Sequence, residues 1–426
     1  MTVTAPKCQE RIRPTEYFNP EKYFDFENED QRKWWQQTAP LLARIFQAAQ
    51  YPVEHQYLYM TLYKTVIVPL MGPHPNKWDC FITYSGIPIE FSTNYQEYGP
   101  PTCRIGWEPV SHLSGTPSDR LNLKTVNKAI SLLTKLNLKS FDRRLFDLFM
   151  KNLVLSSEEA IAVNMEELPW PRLKNQVSLG LDLKGGEVTV KCYVYPALKS
   201  QLTGQPFRDL LNEAVGLGSD NLMNCADALN SVHEYLEGAG LYNQYSFIGF
   251  DFVDPSKSRL KVYNTVQEVT WPKLEGIWTL GGKFAKNPLV KRGLDAAQEL
   301  WRLITEETVS VAPLSHPRAK EYLANSTQDK MGVGIYNYEL VPGNPVPMPK
   351  WYFILHGQND LVNAQAIVDF YRHLGWNEVA ELFIPTFRSH FPDTDVSKTS
   401  NLIQYVSLAY SEKTGVYFSV YYHSSL

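Results

Sequence analysis

The chain has 426 residues, of which 44% are hydrophobic and 20% charged, with a formal net charge of −4. That is ample for a large core, and the mild acidity excludes the global basic field of a nucleic-acid binder. No run approaches ~18 uninterrupted apolar residues, so no membrane span is expected, and the N-terminus MTVTAPKCQERIRPTEYF lacks the apolar stretch of a secretory signal.

In chain order, residues 1–25 are polar and contain proline, and read as a loose N-terminal arm; residues 26–426 read as one domain. Apolar residues at helical spacing predict helices over Gln31–Gln50 and His55–Leu70, followed by strands over Cys80–Ser92 and Cys103–Pro109. The rhythm then repeats. Helices are expected at Leu123–Leu136 and Ser140–Leu153, with strands at Gln176–Leu183 and Glu187–Tyr195 around the turn Lys184-Gly185-Gly186. Helices at Phe207–Val215 and Asn221–Glu237 precede strands at Tyr245–Val253 and Arg259–Asn264. Helices at Trp271–Leu280 and Pro288–Glu306 precede strands at Gly332–Leu340 and Lys350–His356. Helices at Asn363–Leu374 and Trp376–Phe391 precede strands at Leu402–Ser411 and Gly415–Tyr422.

This is helix-helix-strand-strand, five times over. Strands linked directly as hairpins are antiparallel and cannot build a parallel βαβ sheet. Ten of them in sequence can close into one barrel, which abolishes exposed edges and leaves a lumen. The expected fold is therefore α/β: a ten-stranded antiparallel barrel ringed by helices, built from five ααββ repeats.

Alternation along the strands marks what faces that lumen. In TVKCYVYP, Val190, Cys192 and Val194 share an apolar face, and Lys191, Tyr193 and Tyr195 share the other. SRLKVY puts Arg259, Lys261 and Tyr263 together, PKWYFI does the same for Lys350 and Tyr352, and CRIGW for Arg104 and Gly106. Tyr405, Tyr417 and Tyr421 come from the last hairpin. A lone lysine-bearing face would point to solvent. Four strands with the same pattern argue otherwise, because the outer faces must meet the helices and the apolar faces fill that role. Five cations in one lumen, Arg104, Lys191, Arg259, Lys261 and Lys350, would repel one another without an anion, and a diphosphate fits. Tyrosines beside it can shield a carbocation, at ~0.5–2 kcal/mol per contact. Glu90 in GIPIEFS stands out as an acid inside a strand, either paired with an arginine or accepting a substrate N–H.

Other chemistry has no motif here: there is no GxxxxGK[ST], no GxGxxG after a strand, no GxSxG, no HExxH and no Asp-rich magnesium motif. Asp251 and Asp254 could be offered as a metal pair but read better as a strand end and a turn cap. The five cysteines, Cys8, Cys80, Cys103, Cys192 and Cys225, are scattered, odd in number and without a CxxC, and read as reduced thiols of a cytoplasmic protein.

The segments GIPIEFSTN, CRIGWEPV, VKCYVYPALKSQLTG, DFVDPSKSRLKVY, IWTLGG, PKWYFILHGQND and YVSLAYSEKTGVYFSVYYHS resemble the fungal aromatic prenyltransferases of the dimethylallyltryptophan synthase type, from about Trp34 to the C-terminus. The resemblance implies the ABBA fold, or PT barrel, and metal-independent transfer of a dimethylallyl group from dimethylallyl diphosphate to an indole. Position by position, it implies Glu90 as acceptor of the indole N–H. It implies Arg104, Lys191, Arg259 and Lys261 as diphosphate ligands, joined by Lys350 where several members have Gln. Tyr193, Tyr263, Tyr352, Tyr405 and Tyr421 would be the cation shield, with Gly106 and Tyr195 beside the acceptor. The lysine some tryptophan-using members employ as proton acceptor has no counterpart near Ser178, which counts against free tryptophan. YNQYSF, VTW and VPMPKWYFILHGQNDL look most like the enzymes acting on tryptophan-containing cyclic dipeptides, including the reverse C2 type. The implied partners are small molecules only, without nucleic acid or membrane, for a monomer or homodimer needing no cofactor and no metal. The rival readings are another aromatic acceptor, such as free tryptophan or tyrosine, and a non-catalytic barrel for an anionic ligand.

Overall fold

The structure, a computed structural model, describes residues 24–423 apart from 165–167, 169–173, 218–222, 244, 268 and 307–333. Ten strands close into one barrel in strict sequence order, with the first strand paired to the last. They are β1 Ile89–Gln96, β2 Thr102–Trp107, β3 Val177–Lys184, β4 Glu187–Val194, β5 Phe247–Asp251, β6 Leu260–Val266, β7 Gly334–Leu340, β8 Met348–Ile354, β9 Ile403–Ser411 and β10 Gly415–Tyr422. Each neighbouring pair is antiparallel, including the closing pair in which Ser92 lies opposite Tyr421. The turn between β3 and β4 is made by Gly185 and Gly186, both at positive φ (60° and 80°). That is the backbone of a two-residue hairpin, which glycine adopts without steric cost.

Two corrections to the expected elements matter for the site. The strand expected from Cys80 begins only at Ile89; residues 80–88 form a looped segment in which the Cys80 N–H donates to the Gly86 carbonyl at 2.9 Å. Glu108, buried at 1% exposure, pins this segment by accepting from the backbone N–H groups of Phe81 (2.6 Å) and Ile82 (3.0 Å). Those two N–H groups thus serve a side chain rather than a strand ladder. The third repeat also carries an extra short helix, Ala197–Thr203, ahead of Phe207–Leu217 and Ala226–Gly238. Pro196 ends the strand pattern and its fixed φ suits the entry to a helix.

The helix expected over His55–Leu70 is regular only over Val53–Leu62, then loosens to a π turn at Tyr63–Ile67 and a 3₁₀ turn at Val68–Leu70. Pro69 lacks the N–H a regular helix needs there. The expected N-terminal arm lies outside the described residues up to residue 23; Phe24 meets the Trp35 ring edge-on at 5.3 Å. No described helix is long and apolar enough to cross a membrane.

The main core lies between the helices and the outer faces of the strands. Phe91, Ile105, Trp107, Leu179, Val190, Cys192, Val262, Trp351, Leu408 and Phe418 are all buried there, against helix residues such as Trp34, Phe46, Phe149 and Phe370. With the apolar face turned outward to the helices, alternation forces the polar face of every strand into the lumen.

Candidate active site

The lumen holds a cavity of about 450 Å³. Glu90, Arg104, Gly106, Lys191, Tyr193, Tyr195, Arg259, Lys261, Tyr263, Lys350, Tyr352, Tyr405 and Tyr421, the residues singled out from sequence, all line it. Their arrangement follows from strand direction. Alternate strands of an antiparallel barrel run the same way, so β2, β4, β6, β8 and β10 are all codirectional. A residue two places further along any of them lies ~6.6 Å nearer the same end. Lys191 and Tyr193, Lys261 and Tyr263, and Lys350 and Tyr352 therefore give a layer of cations followed by a layer of tyrosines. On β2 the residue following Arg104 by two is Gly106, so the tyrosine layer has a gap there.

The gap is filled from the neighbouring strand. Glu90 lies opposite Gly106 in the β1–β2 register. A Cβ on Gly106 would lie 2.8 Å from the Glu90 Cγ and 2.8 Å from the Ile82 Cδ1. Only glycine allows the acid and the looped segment to meet there. Among the described residues Glu90 is paired with no arginine; its Oε2 accepts a hydrogen bond from the Tyr405 hydroxyl at 2.5 Å. Burial pushes its carboxyl up to about 8, with the Tyr405 donor pulling the other way.

The tyrosine layer is continuous. Tyr193 meets Tyr263 edge-on at 5.9 Å, Tyr263 reaches Tyr352 at 6.3 Å, Tyr352 reaches Tyr421 at 6.1 Å, and Tyr405 lies 4.3 Å from Tyr421. Two aromatics not anticipated from sequence extend it. Phe247 stacks on Tyr263 at 4.3 Å and 8°, and Phe81, from the looped segment, lies 4.5 Å from Tyr195. Phe247 was legible as the inward partner of Gly249 on β5. Phe81 was not, because the stretch around it reads as a strand. The Tyr195 hydroxyl shares a 2.7 Å hydrogen bond with Ser178.

The cation layer differs from expectation in one respect: the chain supplies anions of its own. Asp182 lies 2.5 Å from the Lys191 ammonium and 2.9 Å from the Arg104 guanidinium. Arg259 donates to Asp251 at 2.9 Å and to Glu339 at 3.2 Å, and Lys261 lies 3.9 Å from Glu339. Five cations thus face three carboxylates rather than an empty space. Burial raises the Asp182 carboxyl, but Lys191 and Arg104 outweigh it and hold the group well below the usual carboxylate range. Asp251 and Glu339 are lowered in the same way, burial opposing and Arg259 leading the attraction. These acids were legible: SLGLDLK, FIGFD and GIYNYEL each carry one on the lumen face by alternation. Asp254, as expected, caps a turn, accepting from the Ser256 N–H at 2.9 Å.

Lys350 stands apart. Among the described residues no carboxylate lies within 4 Å of its ammonium, which lies 5.1 Å from the Tyr352 ring and 5.4 Å from the Tyr417 ring. Burial, then Arg104, Lys261 and Lys191, pushes it well below the ordinary lysine range. Lys261 is likewise pushed down, to about 7. Among the described residues no three His, Cys, Asp or Glu side chains are grouped to hold a metal ion.

A closed ten-strand barrel whose lumen carries cations and then a ring of tyrosines with a buried acid in its gap has the make-up of a prenyltransferase site, and the comparisons with known proteins place the chain in that class. Residues 30–385 match the family described as tryptophan dimethylallyltransferase; the chain belongs to that family. It is 41% identical to the prenyltransferase malE of Malbranchea aurantiaca, over 96% of this chain and 91% of that protein. It is 35% identical to the deoxybrevianamide E synthase of Aspergillus versicolor, over 94% and 92%. Among solved structures, NotF in complex with brevianamide F and DMSPP superposes with a TM-score of 0.84 at 35% identity, over 94% of this chain and 96% of that one. AnaPT from Neosartorya fischeri gives 0.81 at 26% identity, over 95% and 96%. The resemblance read from the sequence, the PT barrel and the enzyme class are therefore borne out.

Proposed function

We propose that the chain transfers a dimethylallyl group from dimethylallyl diphosphate to the indole ring of a tryptophan-containing cyclic dipeptide. The observation that carries this is the layering of one lumen, a set of cations followed by a ring of tyrosines that holds a buried acid in its gap. In this reading Arg104, Lys191, Arg259, Lys261 and Lys350 bind the diphosphate. The allylic C–O bond breaks, its electron pair leaving with the diphosphate, where fixed cations meet the developing charge without reorganising. Tyr193, Tyr263, Tyr352, Tyr405 and Tyr421 face the allyl cation and exclude water.

Glu90 accepts the indole N–H, which raises electron density on the ring. A ring carbon gives its π electrons to the cation, and loss of the proton at that carbon restores aromaticity. Gly106 and Tyr195 bound the acceptor. The cyclic-dipeptide class is supported by the relatives: the NotF complex holds brevianamide F, and the Aspergillus versicolor relative is named deoxybrevianamide E synthase. The proposal includes a metal-independent enzyme, monomeric or homodimeric. It also places the enzyme in the cytoplasm, which the buried thiols of Cys103, Cys192 and Cys225 fit.

The test is turnover of dimethylallyl diphosphate with a panel of brevianamide F, other cyclic dipeptides with and without tryptophan, free tryptophan and tyrosine. Product structure by NMR then decides the ring position and the end of the allyl group that bonds. Turnover of cyclic dipeptides bearing tryptophan, in preference to the amino acids, is expected. Preference for free tryptophan or tyrosine would overturn the acceptor assignment, and binding without turnover would overturn the enzyme.

A further inference from the structure

Tyr405 belongs to the ring of five tyrosines, yet it differs from the others in what its hydroxyl does. Among the described residues it alone of the five donates to a carboxylate, at 2.5 Å to the Glu90 Oε2. The Tyr263 and Tyr352 hydroxyls meet each other instead, at 3.5 Å. Barrel closure brings the two residues together: β1 pairs with β10, β10 pairs with β9, and Tyr421 lies opposite both Ser92 and Tyr405. The Glu90 Oε1 lies over Gly106, 3.0 Å from where a Cβ would be. The two oxygens of one carboxylate thus have different surroundings, one engaged by a phenol and the other over the glycine.

We propose that Tyr405 is a positioning residue for Glu90, its hydroxyl engaging Oε2 so that Oε1 is the oxygen presented to the indole N–H in the ionised, stronger-accepting form. This rests on the indole-prenylating reading above. A carboxylate accepts several hydrogen bonds and a protonated one donates, so a fixed O–H donor on one oxygen favours the ionised form against burial and leaves the other oxygen to the substrate. The surroundings leave this task to Tyr405. Tyr421 comes from β10 and Tyr193 from β4, both neutral phenols raised by burial. Arg104 on β2 is bound to Asp182. The looped segment contributes the apolar Ile82, and His356, after β8, lines the same cavity with its imidazole pushed down to about 4 by burial.

Tyr405→Phe separates positioning from shielding, since it keeps the ring 4.3 Å from Tyr421 and removes only the donor. Its rise of kcat/KM with pH should move to higher pH than in the parent, with about a tenfold loss at neutral pH and recovery on raising the pH. Tyr405→Leu should show a further loss that pH does not restore. In a Glu90→Gln background, Tyr405→Phe should add little, as for residues acting through one another. Independently of any acceptor, the infrared carboxyl band that disappears in Glu90→Gln should titrate at higher pH in Tyr405→Phe than in the parent. An unshifted band, or losses that add in full, would reduce Tyr405 to a shield. A shifted band in a chain that prenylates no indole would uphold the contact and overturn the functional reading instead.

Discussion

The carboxylate of Asp182 and the ammonium of Lys191 face each other at 2.5 Å across the hairpin that Gly185 and Gly186 turn. Asp182 lies opposite Arg104 on the other side, in the β2–β3 register. One acid therefore holds two members of the cation layer in place while no diphosphate is bound. Removing it should be costly for a reason other than catalysis.

Asp182→Asn should destabilise the protein by ~3–5 kcal/mol, the scale of breaking one partner out of a buried ion pair. Because the stranded charges are cations, inorganic diphosphate should return part of the loss. Denaturant midpoints with and without diphosphate measure this; an equal deficit in both conditions would mean that the two cations do not face the ligand.

Lys350 should make diphosphate binding take up protons. Burial and the neighbouring cations depress both its ammonium and that of Lys261, and a bound polyanion favours their charged forms. The affinity for inorganic diphosphate should then fall as pH rises above about 7, the value to which burial pushes the Lys261 ammonium. Calorimetry at pH ~8 in two buffers of different ionisation enthalpy should show net proton uptake. In Lys350→Gln that uptake should shrink, and affinity should drop about ten- to a hundredfold. Unchanged uptake and affinity would remove Lys350 from the clamp.

Glu90→Gln should keep the fold and lose ~10²–10³ in turnover, as when a preorganised electrostatic contact is removed. It should also change stability against pH in a defined direction. The folded value, pushed up to about 8, lies above the unfolded one. The stability the group contributes is therefore present below about pH 4 and lost as pH rises through 8. The parent should lose melting temperature relative to Glu90→Gln progressively between about pH 4 and pH 8, and no further above that. Parallel curves would show that the acid ionises without cost.

Gly106→Thr should alter acceptor range or product ratio more than diphosphate affinity. The new side chain has to displace Glu90 and Ile82, each 2.8 Å from the site of its Cβ, while the cation layer lies two residues back along the strand, at Arg104. Product profiles and inhibition by inorganic diphosphate, measured side by side, decide it. A selective loss of diphosphate affinity would place Gly106 in the clamp instead.

Turnover should persist in excess EDTA. The diphosphate-facing charges proposed here are side chains on β2, β4, β6 and β8, with Arg259 just before β6, and need no divalent ion to neutralise the leaving group. Some stimulation by added Mg²⁺ is compatible with this. Abolition by chelation, restored by Mg²⁺, would show that the clamp is incomplete without metal.

The barrel and its layers were legible in the order of the amino acids. Alternation at period two is a property of the extended backbone, so VKCYVY, SRLKVY and PKWYFI each declare which side chains share a face, and the five repeats declare how many hairpins there are. The direct hairpin links then make the even-numbered strands codirectional, which turns a local spacing of two into a layer of cations and a layer of tyrosines. Asp182, Asp251 and Glu339 were written in the same alternation. Their roles were not, because which cation an acid meets depends on the register between strands.

Tertiary structure alone decided the contacts that register and closure create. Glu90 and Tyr405 are 315 residues apart and meet only because β1 pairs with β10. The segment 80–88 carries strand-forming residues, yet Glu108 takes its N–H groups and bends it over the lumen, bringing Phe81 to Tyr195. Propensity is weak where a buried side chain offers the backbone another partner. The physical reason is the same in both cases: faces are set by local geometry, whereas neighbours across a closed sheet are set by all ten strands at once.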